Sequence, residues 1–367
     1  VLGMLPYLLW GGEFSIINAW FESVSGYTTT GASILSSVES LPKGLLFWRA
    51  STHWIGGIGI ILFALLIFPR TSPSRLTLIR SELSNISQKS FGSKASDIFK
   101  IILLVYIGLT VLETISLSIA GMSIFDAITH TFATIATGGF STKNLSIAHF
   151  NSLAIEIIIM IFMVLSGLHF GLLFATITGK RENIFRSKVV RFYVVFLLVG
   201  ILLVTFKLYF TDYNSFGKAL RYASFQVISL GTTTGFATAD TAVWPYFTRL
   251  ILIYFSIQCA CVGSTSGGLK FDRILILFKS IRKQIIIFLH PKAVISNKLD
   301  KIKLSEGLEY YVLSFTVLYF LVIFASTLTI SLMDVDVETS FSATVASIGN
   351  VGPGFGKVSS LGNYHNL

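Results

Sequence analysis

Long apolar runs alternate along this chain with short stretches that mix apolar and hydroxyl residues. The runs lie near 45–69, 98–120, 153–178, 189–210, 245–262, 269–289 and 308–333. Most approach the ~20 residues that a helix needs to cross a hydrocarbon core of roughly 30 Å. Four of the mixed stretches, IINAWFESVSGYTTTG, IFDAITHTFATIATG, KALRYASFQVISLGTTTG and SFSATVASIGNVG, read as helices too short to span, each running into a glycine loop. Setting Gly31, Gly138, Gly235 and Gly352 in one column gives intervals of 107, 97 and 117 residues. The pattern predicts a repeated unit of spanning helix, half-membrane helix, glycine loop and spanning helix.

The units divide as 1–75, 76–188, 189–290 and 291–367, with a broken second helix in the third. The chain starts at VLGMLPYLLWGG without a leading methionine and stops at Leu367, so the reading expects the opening helix of unit one and the closing helix of unit four to be missing from it. The predicted fold is an all-α polytopic membrane protein, with four pseudo-symmetric helix–pore-loop–helix repeats around one ion pathway. Irregular backbone at membrane depth is tolerated only where it is buried in protein or lines a polar cavity. Four glycine loops sharing an axis can turn carbonyl oxygens inward to replace the water shell of a cation. Glycine adopts the backbone angles this requires. The hydroxyls of Thr28 to Thr30, Thr137 and Thr232 to Thr234 can satisfy neighbouring backbone groups. HWIGGIGIILF, with Gly56, Gly57 and Gly59, reads instead as helix packing.

Composition agrees with the pattern: 53% of residues are hydrophobic, 13% are charged, and mean hydropathy is +0.75. The net charge of +10 does not point to nucleic acid, because the basic residues sit in three loops. Arg70, Arg75, Arg80, Lys89, Lys94 and Lys100 are in the first; Lys180, Arg181, Arg186, Lys188 and Arg191 in the second. Lys279, Arg282, Lys283, Lys292, Lys298, Lys301 and Lys303 form the third. The alternate loops are poor in Lys and Arg, so the positive-inside rule puts the glycine loops outside. Cys259 and Cys261 are too close along one helix to face each other, which argues against a disulfide or metal pair.

FESVSGYTTTGAS, HWIGGIGIILFALLIFP, LTVLETISLSIAGMSIFDAITHTFATIATGGFST, GSTSGGLKFDRILILFK and NVGPGFG together resemble the Trk/Ktr/HKT superfamily of potassium transport proteins, specifically the bacterial TrkH/KtrB-type membrane subunit. The likeness runs from residue 21 to residue 356. It implies a potassium-selective subunit for K+ uptake across the bacterial cytoplasmic (inner) membrane, with filter loops facing outside. The implied filter is Thr30, Gly31, Thr137, Gly138, Thr234, Gly235, Val351 and Gly352, with K+ as the transported ion and no organic cofactor. The fourth loop departs from the pattern, having Asn350 and Val351 where others have threonine. The resemblance further implies a homodimer and a cytosolic nucleotide-binding regulatory ring of the TrkA/KtrA type. The basic loops offer such a partner an attractive surface, and also suit anionic membrane lipid.

GSTSGGLK, Gly263 to Lys270, falls short of a nucleotide-binding P-loop because Leu269 stands where lysine belongs. It interrupts an apolar segment. By resemblance it is the intramembrane gate beneath the filter, formed by Gly263, Ser264, Thr265, Ser266, Gly267 and Gly268 and held by few side-chain contacts. Glu113 and Glu156, at depth, read as structural hydrogen-bonding groups, His169 as a packed histidine, and Lys207 as reaching out to the interface. Asp272 and Arg273 read as pairing with neighbours. No nucleophile–base–acid set is recognisable, so no enzyme activity is expected. The rival readings are a sodium-permeable or cation-coupled (Na+/K+ or H+/K+) transporter of the same fold and, from another class, an intramembrane enzyme or a scaffold.

Overall fold

A computed structural model describes residues 2–67, 95–179, 183–293, 295–300 and 302–364. Helices dominate them: α1 (Leu5–Trp10), α2 (Ile16–Tyr27), α3 (Lys43–Ile67), α4 (Ala95–Ile119), α5 (Ile124–Ile135), α6 (Leu153–Gly167), α7 (Phe170–Ile177), α8 (Lys188–Thr211), α9 (Phe216–Gly231), α10 (Tyr246–Gln258), α11 (Phe271–Leu289), α12 (Glu306–Ser331) and α13 (Val337–Ile348). Many start on a side-chain cap. Ser15, Ser123, Ser152, Ser187 and Ser305 each accept an N–H three residues on, and the Asp336 carboxylate does the same from Thr339, satisfying one of the orphan donors of a helix start.

Among the described residues, α4 (from Phe99), α8 and α12 are long and apolar enough to cross a membrane, and α6 with α7 makes a fourth if the bent pair is one span. The outer side of α12 shows Leu313, Val317, Leu318, Leu321 and Phe324, a surface suited to acyl chains. The helices α2, α5, α9 and α13 are the elements that lead into the four glycine loops. Each of the last three packs on the helix that follows the preceding glycine loop: α5 on α3, α9 on α6, α13 on α10. Small residues allow the close approach. A Cβ on Gly57 would lie 3.1 Å from the Ala136 Cα, one on Gly167 3.2 Å from the Thr232 Cγ2, and one on Gly349 2.8 Å from the Ser256 carbonyl oxygen. Gly56 packs likewise on the Tyr27 carbonyl, while among the described residues nothing lies within 4 Å of a Cβ on Gly59.

The run at 153–178 is not one straight helix. α6 and α7 meet at 106°. His169 caps α7, its Nδ1 accepting the Gly171 N–H at 2.9 Å. The backbone groups freed at the break are used by a distant segment: Cys261 donates to the Gly167 carbonyl and Phe170 donates to the Gly263 carbonyl, both at 3.1 Å. Two interruptions at membrane depth satisfy each other. A two-stranded hairpin, β1 (Lys298–Leu299) and β2 (Ile302–Lys303), is the one departure from an all-helical chain among the described residues. Its turn residue Asp300 accepts from the Ser187 hydroxyl and the Lys188 N–H, both at 2.7 Å, and so seats it on the start of α8.

Candidate ion pathway

Each short helix ends in the same hydrogen-bonded turn. Thr29, Thr137, Thr233 and Asn350 donate to the carbonyl three residues back. The next residues, Thr30, Gly138, Thr234 and Val351, donate to the carbonyl five back. This is the Schellman pattern, which needs a left-handed residue at its centre. The φ angles there are +55°, +53°, +62° and +53°. Glycine or asparagine normally fills such a position, and a threonine in it is an outlier carrying strain of order 1–3 kcal/mol. Asn350 is thus the least strained of the four, although it looked the most divergent in the sequence. Two residues on, Gly31, Gly139, Gly235 and Gly352 have φ of +80°, +76°, +79° and +89°.

That geometry corrects the register of the second loop. Gly139, not Gly138, is equivalent to Gly31, Gly235 and Gly352. Gly138 takes the position of Thr30, Thr234 and Val351, and Thr137 that of Thr29. Two adjacent glycines left the choice open in the sequence, and the first was aligned. The following residues carried the answer, since GGFST and TGFAT align on Phe140 and Phe236.

The corrected positions close a ring. A Cβ on Gly31 would lie 2.0 Å from the Gly138 carbonyl oxygen; on Gly139, 2.0 Å from that of Thr234; on Gly235, 2.1 Å from that of Val351; on Gly352, 2.6 Å from that of Thr30. Each glycine therefore abuts the carbonyl of the next loop, and the last abuts the first. Any side chain at these positions would displace backbone. All four glycines also line one open cavity of about 150 Å³, whose wall includes Ser33, Phe140, Lys143, Pro353 and Tyr364.

Polar side chains on the short helices brace the loops. Nine residues before the ring glycine stand Glu22, His130, Gln226 and Ala343. Glu22 accepts from the Ser33 hydroxyl (3.0 Å) and the Ile34 N–H (3.2 Å). His130 Nε2 pairs with the Ser141 hydroxyl at 2.9 Å, and the Gln226 amide donates to the Ala239 carbonyl at 3.0 Å. Glu22 is fully buried with Arg49 of α3, whose Nε and Nη2 lie 2.7 Å from Oε1. Arg49 also donates to the Ser141 carbonyl at 3.3 Å and stacks 3.7 Å from the Phe140 ring, so it joins the first loop to the second. The sequence signal for this pair was a charge in each of two otherwise apolar segments.

Farther out, Glu156 of α6 makes a bidentate pair with Arg221 of α9, both contacts at 2.7 Å, and Arg249 of α10 pairs with Glu338 of α13. Both pairs join the helix after one glycine loop to the helix that leads into the next loop, with the charges exchanged. Glu156 is structural, in keeping with its expected role. Glu113 is fully buried beside the Thr134 side chain.

The segment between α10 and α11, residues 259–270, lies under the loops. Gly267 donates its N–H to the Thr233 hydroxyl at 3.2 Å, and a Cβ there would meet the Gly349 carbonyl at 2.3 Å. The Thr265 hydroxyl donates to the Ile135 carbonyl at 3.0 Å. The expectation of few side-chain contacts does not hold. Ser264 bonds Ser266 at 3.0 Å and the Cys261 carbonyl at 2.6 Å, the Lys270 ammonium donates to the carbonyl and hydroxyl of Ser266, and the Asp272 carboxylate accepts the Val262 N–H at 2.7 Å. His169 packs against Gly263, as a satisfied histidine. Arg273 places its guanidinium 4.1 Å from the Phe315 ring. Both cysteines are free and buried.

Of the basic loops, Arg70, Arg75, Arg80, Lys89, Lys94, Lys180, Arg181 and Lys301 lie outside the described residues. Lys279 donates to the Lys298 carbonyl, and Lys283 pairs with Glu309 at 3.2 Å. Among the described residues no His, Cys, Asp and Glu side chains gather as a metal site.

The fold and the site together define a helical membrane protein in which four glycine turns abut one another in a closed ring. The profile of the TrkH family, described as cation transport proteins, matches residues 3–366, and the chain belongs to that family. It is 38% identical over 361 residues to the Trk system potassium uptake protein TrkH of Salmonella typhimurium, covering 97% of this chain and 75% of that one. The Trk system potassium uptake protein TrkG of Escherichia coli is 33% identical over 350 residues, 95% of this chain and 72% of its own. The crystal structure of the potassium transporter TrkH from Vibrio parahaemolyticus superposes with a TM-score of 0.84 at 32% identity, covering 96% of this chain and 73% of that one.

Proposed function

We propose that this chain is the potassium-selective, pore-forming subunit of a K+ uptake system in the bacterial inner membrane, built from four repeats and used as a homodimer. The observation that carries the reading is the closed ring in which each of Gly31, Gly139, Gly235 and Gly352 abuts the carbonyl of the neighbouring loop. A ring held by backbone presents oxygens at fixed positions, the condition for replacing a cation's hydration shell selectively. The positive-inside rule orients the ring outward. Entry of a monovalent cation against a negative interior releases about 2.3 kcal/mol per 100 mV, so uptake needs no hydrolysis in this chain.

The segment Gly263 to Gly268 acts as the gate, and a cytosolic nucleotide-binding ring that docks on the basic loops controls it. The test is rubidium uptake into liposomes holding the purified full-length protein, with K+ and Na+ as competitors. Competition by K+ at far lower concentration than Na+ is the expected result. Equal competition would favour a sodium-permeable pathway of the same fold, and absence of uptake under any gradient would overturn the assignment. Imposed sodium and proton gradients separate passive from coupled entry.

A further inference from the structure

The fourth loop is braced differently from the other three: the Ser342 hydroxyl of α13 accepts the Phe355 N–H (2.9 Å) and donates to the Phe355 carbonyl (3.0 Å). At the position of Glu22, His130 and Gln226 it has Ala343, which offers no polar group. A second difference divides the loops in pairs: the hydroxyls of Ser25 and Ser229 donate to the carbonyls just after the first and third ring glycines, Ala32 (2.6 Å) and Phe236 (2.7 Å), whereas the equivalent residues of the second and fourth loops are Ala133 and Ala346. The Tyr364 hydroxyl comes instead from the far side of the loop and donates to the Gly352 carbonyl at 2.7 Å. Among the described residues, no hydrogen bond of this kind reaches the carbonyl of Gly31, Gly139 or Gly235.

The tyrosine is itself anchored. Its backbone N–H donates to the Ser33 carbonyl at 2.8 Å, and its ring packs on Phe21 of α2 with centroids 6.0 Å apart. Ser33 is the residue whose hydroxyl Glu22 accepts. One residue thus ties the last loop to the first, across the junction where the ring closes.

We infer that Tyr364 is a positioning residue for ion selection, which fixes the orientation of the fourth ring glycine's carbonyl from outside the loop. This rests on the filter reading given above. A carbonyl oxygen has two lone pairs, so it can accept the hydroxyl with one and face a cation with the other. Without that bond the Gly352 carbonyl loses the contact that sets its direction, and a ring with one loose oxygen accommodates the smaller sodium ion more readily. A neutral hydrogen bond of ordinary strength corresponds to a change in selectivity of about 3- to 10-fold.

The test uses the full-length protein in liposomes and reads the ratio of Na+ to K+ concentrations that halve rubidium uptake. Tyr364→Phe, which keeps the ring and removes the hydroxyl, is expected to lower this ratio about 3- to 10-fold. Phe21→Leu, which loosens the ring packing and keeps the hydroxyl, is expected to leave it unchanged. Gly139→Ser and Gly235→Ser, checked for monodisperse elution, report on the filter itself. An unchanged ratio in Tyr364→Phe beside a collapsed ratio in either glycine variant overturns the role of Tyr364 and leaves the filter standing. An equal fall in Phe21→Leu also overturns it, reducing Tyr364 to packing. Unchanged ratios in well-folded variants of all kinds would overturn the filter reading, and this inference with it.

Discussion

The ring loops and the segment beneath them are both irregular, glycine-rich and buried, yet they are held in different ways. At Gly31, Gly139, Gly235 and Gly352, the atom a Cβ would strike first is a backbone oxygen of another loop. At Gly263 and Gly268 it is a side-chain atom, of the His169 ring and of Cys259 respectively, and only Gly267 meets backbone. The loops are pinned by main-chain Schellman turns, whereas the lower segment has main-chain bonds at its ends, at Cys261, Gly263 and Leu269, and its middle, 264–268, is tethered through the side chains of Ser264, Thr265, Ser266 and Lys270 and the Thr233 hydroxyl. Main chain fixed on main chain has nowhere to go, while side-chain tethers can be exchanged one at a time. The contrast suits a rigid selector above a releasable gate.

The largest effect is expected at the buried pair that supports the rigid part. Arg49→Met leaves the fully buried Glu22 carboxylate without its cation, and breaking such a pair costs roughly 3–5 kcal/mol. Thermal unfolding followed by size-exclusion elution should show a clear loss of stability. A melting curve equal to the parent protein's would mean that the first two loops are held together without it.

The gate comes next. Deleting 264–267 in the full-length protein removes the tethers and the contact with Thr233, and should raise rubidium uptake several-fold in liposomes without a regulatory partner, with the K+ preference kept. Lys270→Met, which removes the bonds to Ser266 and leaves the rest of the segment in place, should give a smaller rise of the same kind. Increased flux with lost preference would place the segment in the selector and erase the contrast.

The smallest effect belongs to the surface. Reversing the charges of Arg186 and Lys188 should weaken docking of a cytosolic ring by a few-fold, more at low salt than at high, because exposed charges are screened. Unaltered binding at low salt would leave this loop with topology as its only role.

The sequence carried the architecture because its signals were local. Apolar run lengths marked the spans, and serine and aspartate caps followed by apolar periodicity marked the short helices. The near-hundred-residue spacing of the glycines marked the recurrence of a short helix ending in a glycine turn. What it hid depended on contacts between distant segments. The bend at Leu168 and His169 interrupts no apolar run, so hydropathy had nothing to detect; its backbone is satisfied by Cys261 and Gly263, nearly a hundred residues on. The doubled glycine at 138 and 139 was read one residue early, since composition alone does not distinguish a glycine required by φ from one packed on the His53 ring. Glu22, Arg49 and Tyr364 drew no notice because their partners are 27 residues apart in one case and 12 in the other. The Lys270 and Asp272 tethers were missed for the opposite reason, as a run of small residues suggested a slack loop.

The central claim is the ring, and the second loop tests it most directly because sequence and structure assign it different glycines. Rubidium uptake by the full-length protein, competed with K+ and Na+, should be compared for Gly139→Ala and for Gly138→Ala in a His53→Ala background. A Cβ on Gly139 drives into the Thr234 carbonyl, whereas the three atoms nearest to one on Gly138 all belong to the histidine ring that the second variant removes. The account predicts that K+ preference collapses by at least about tenfold in the first, the equivalent of 1.4 kcal/mol, and survives in the second. Preserved preference in a well-folded Gly139→Ala protein would contradict it.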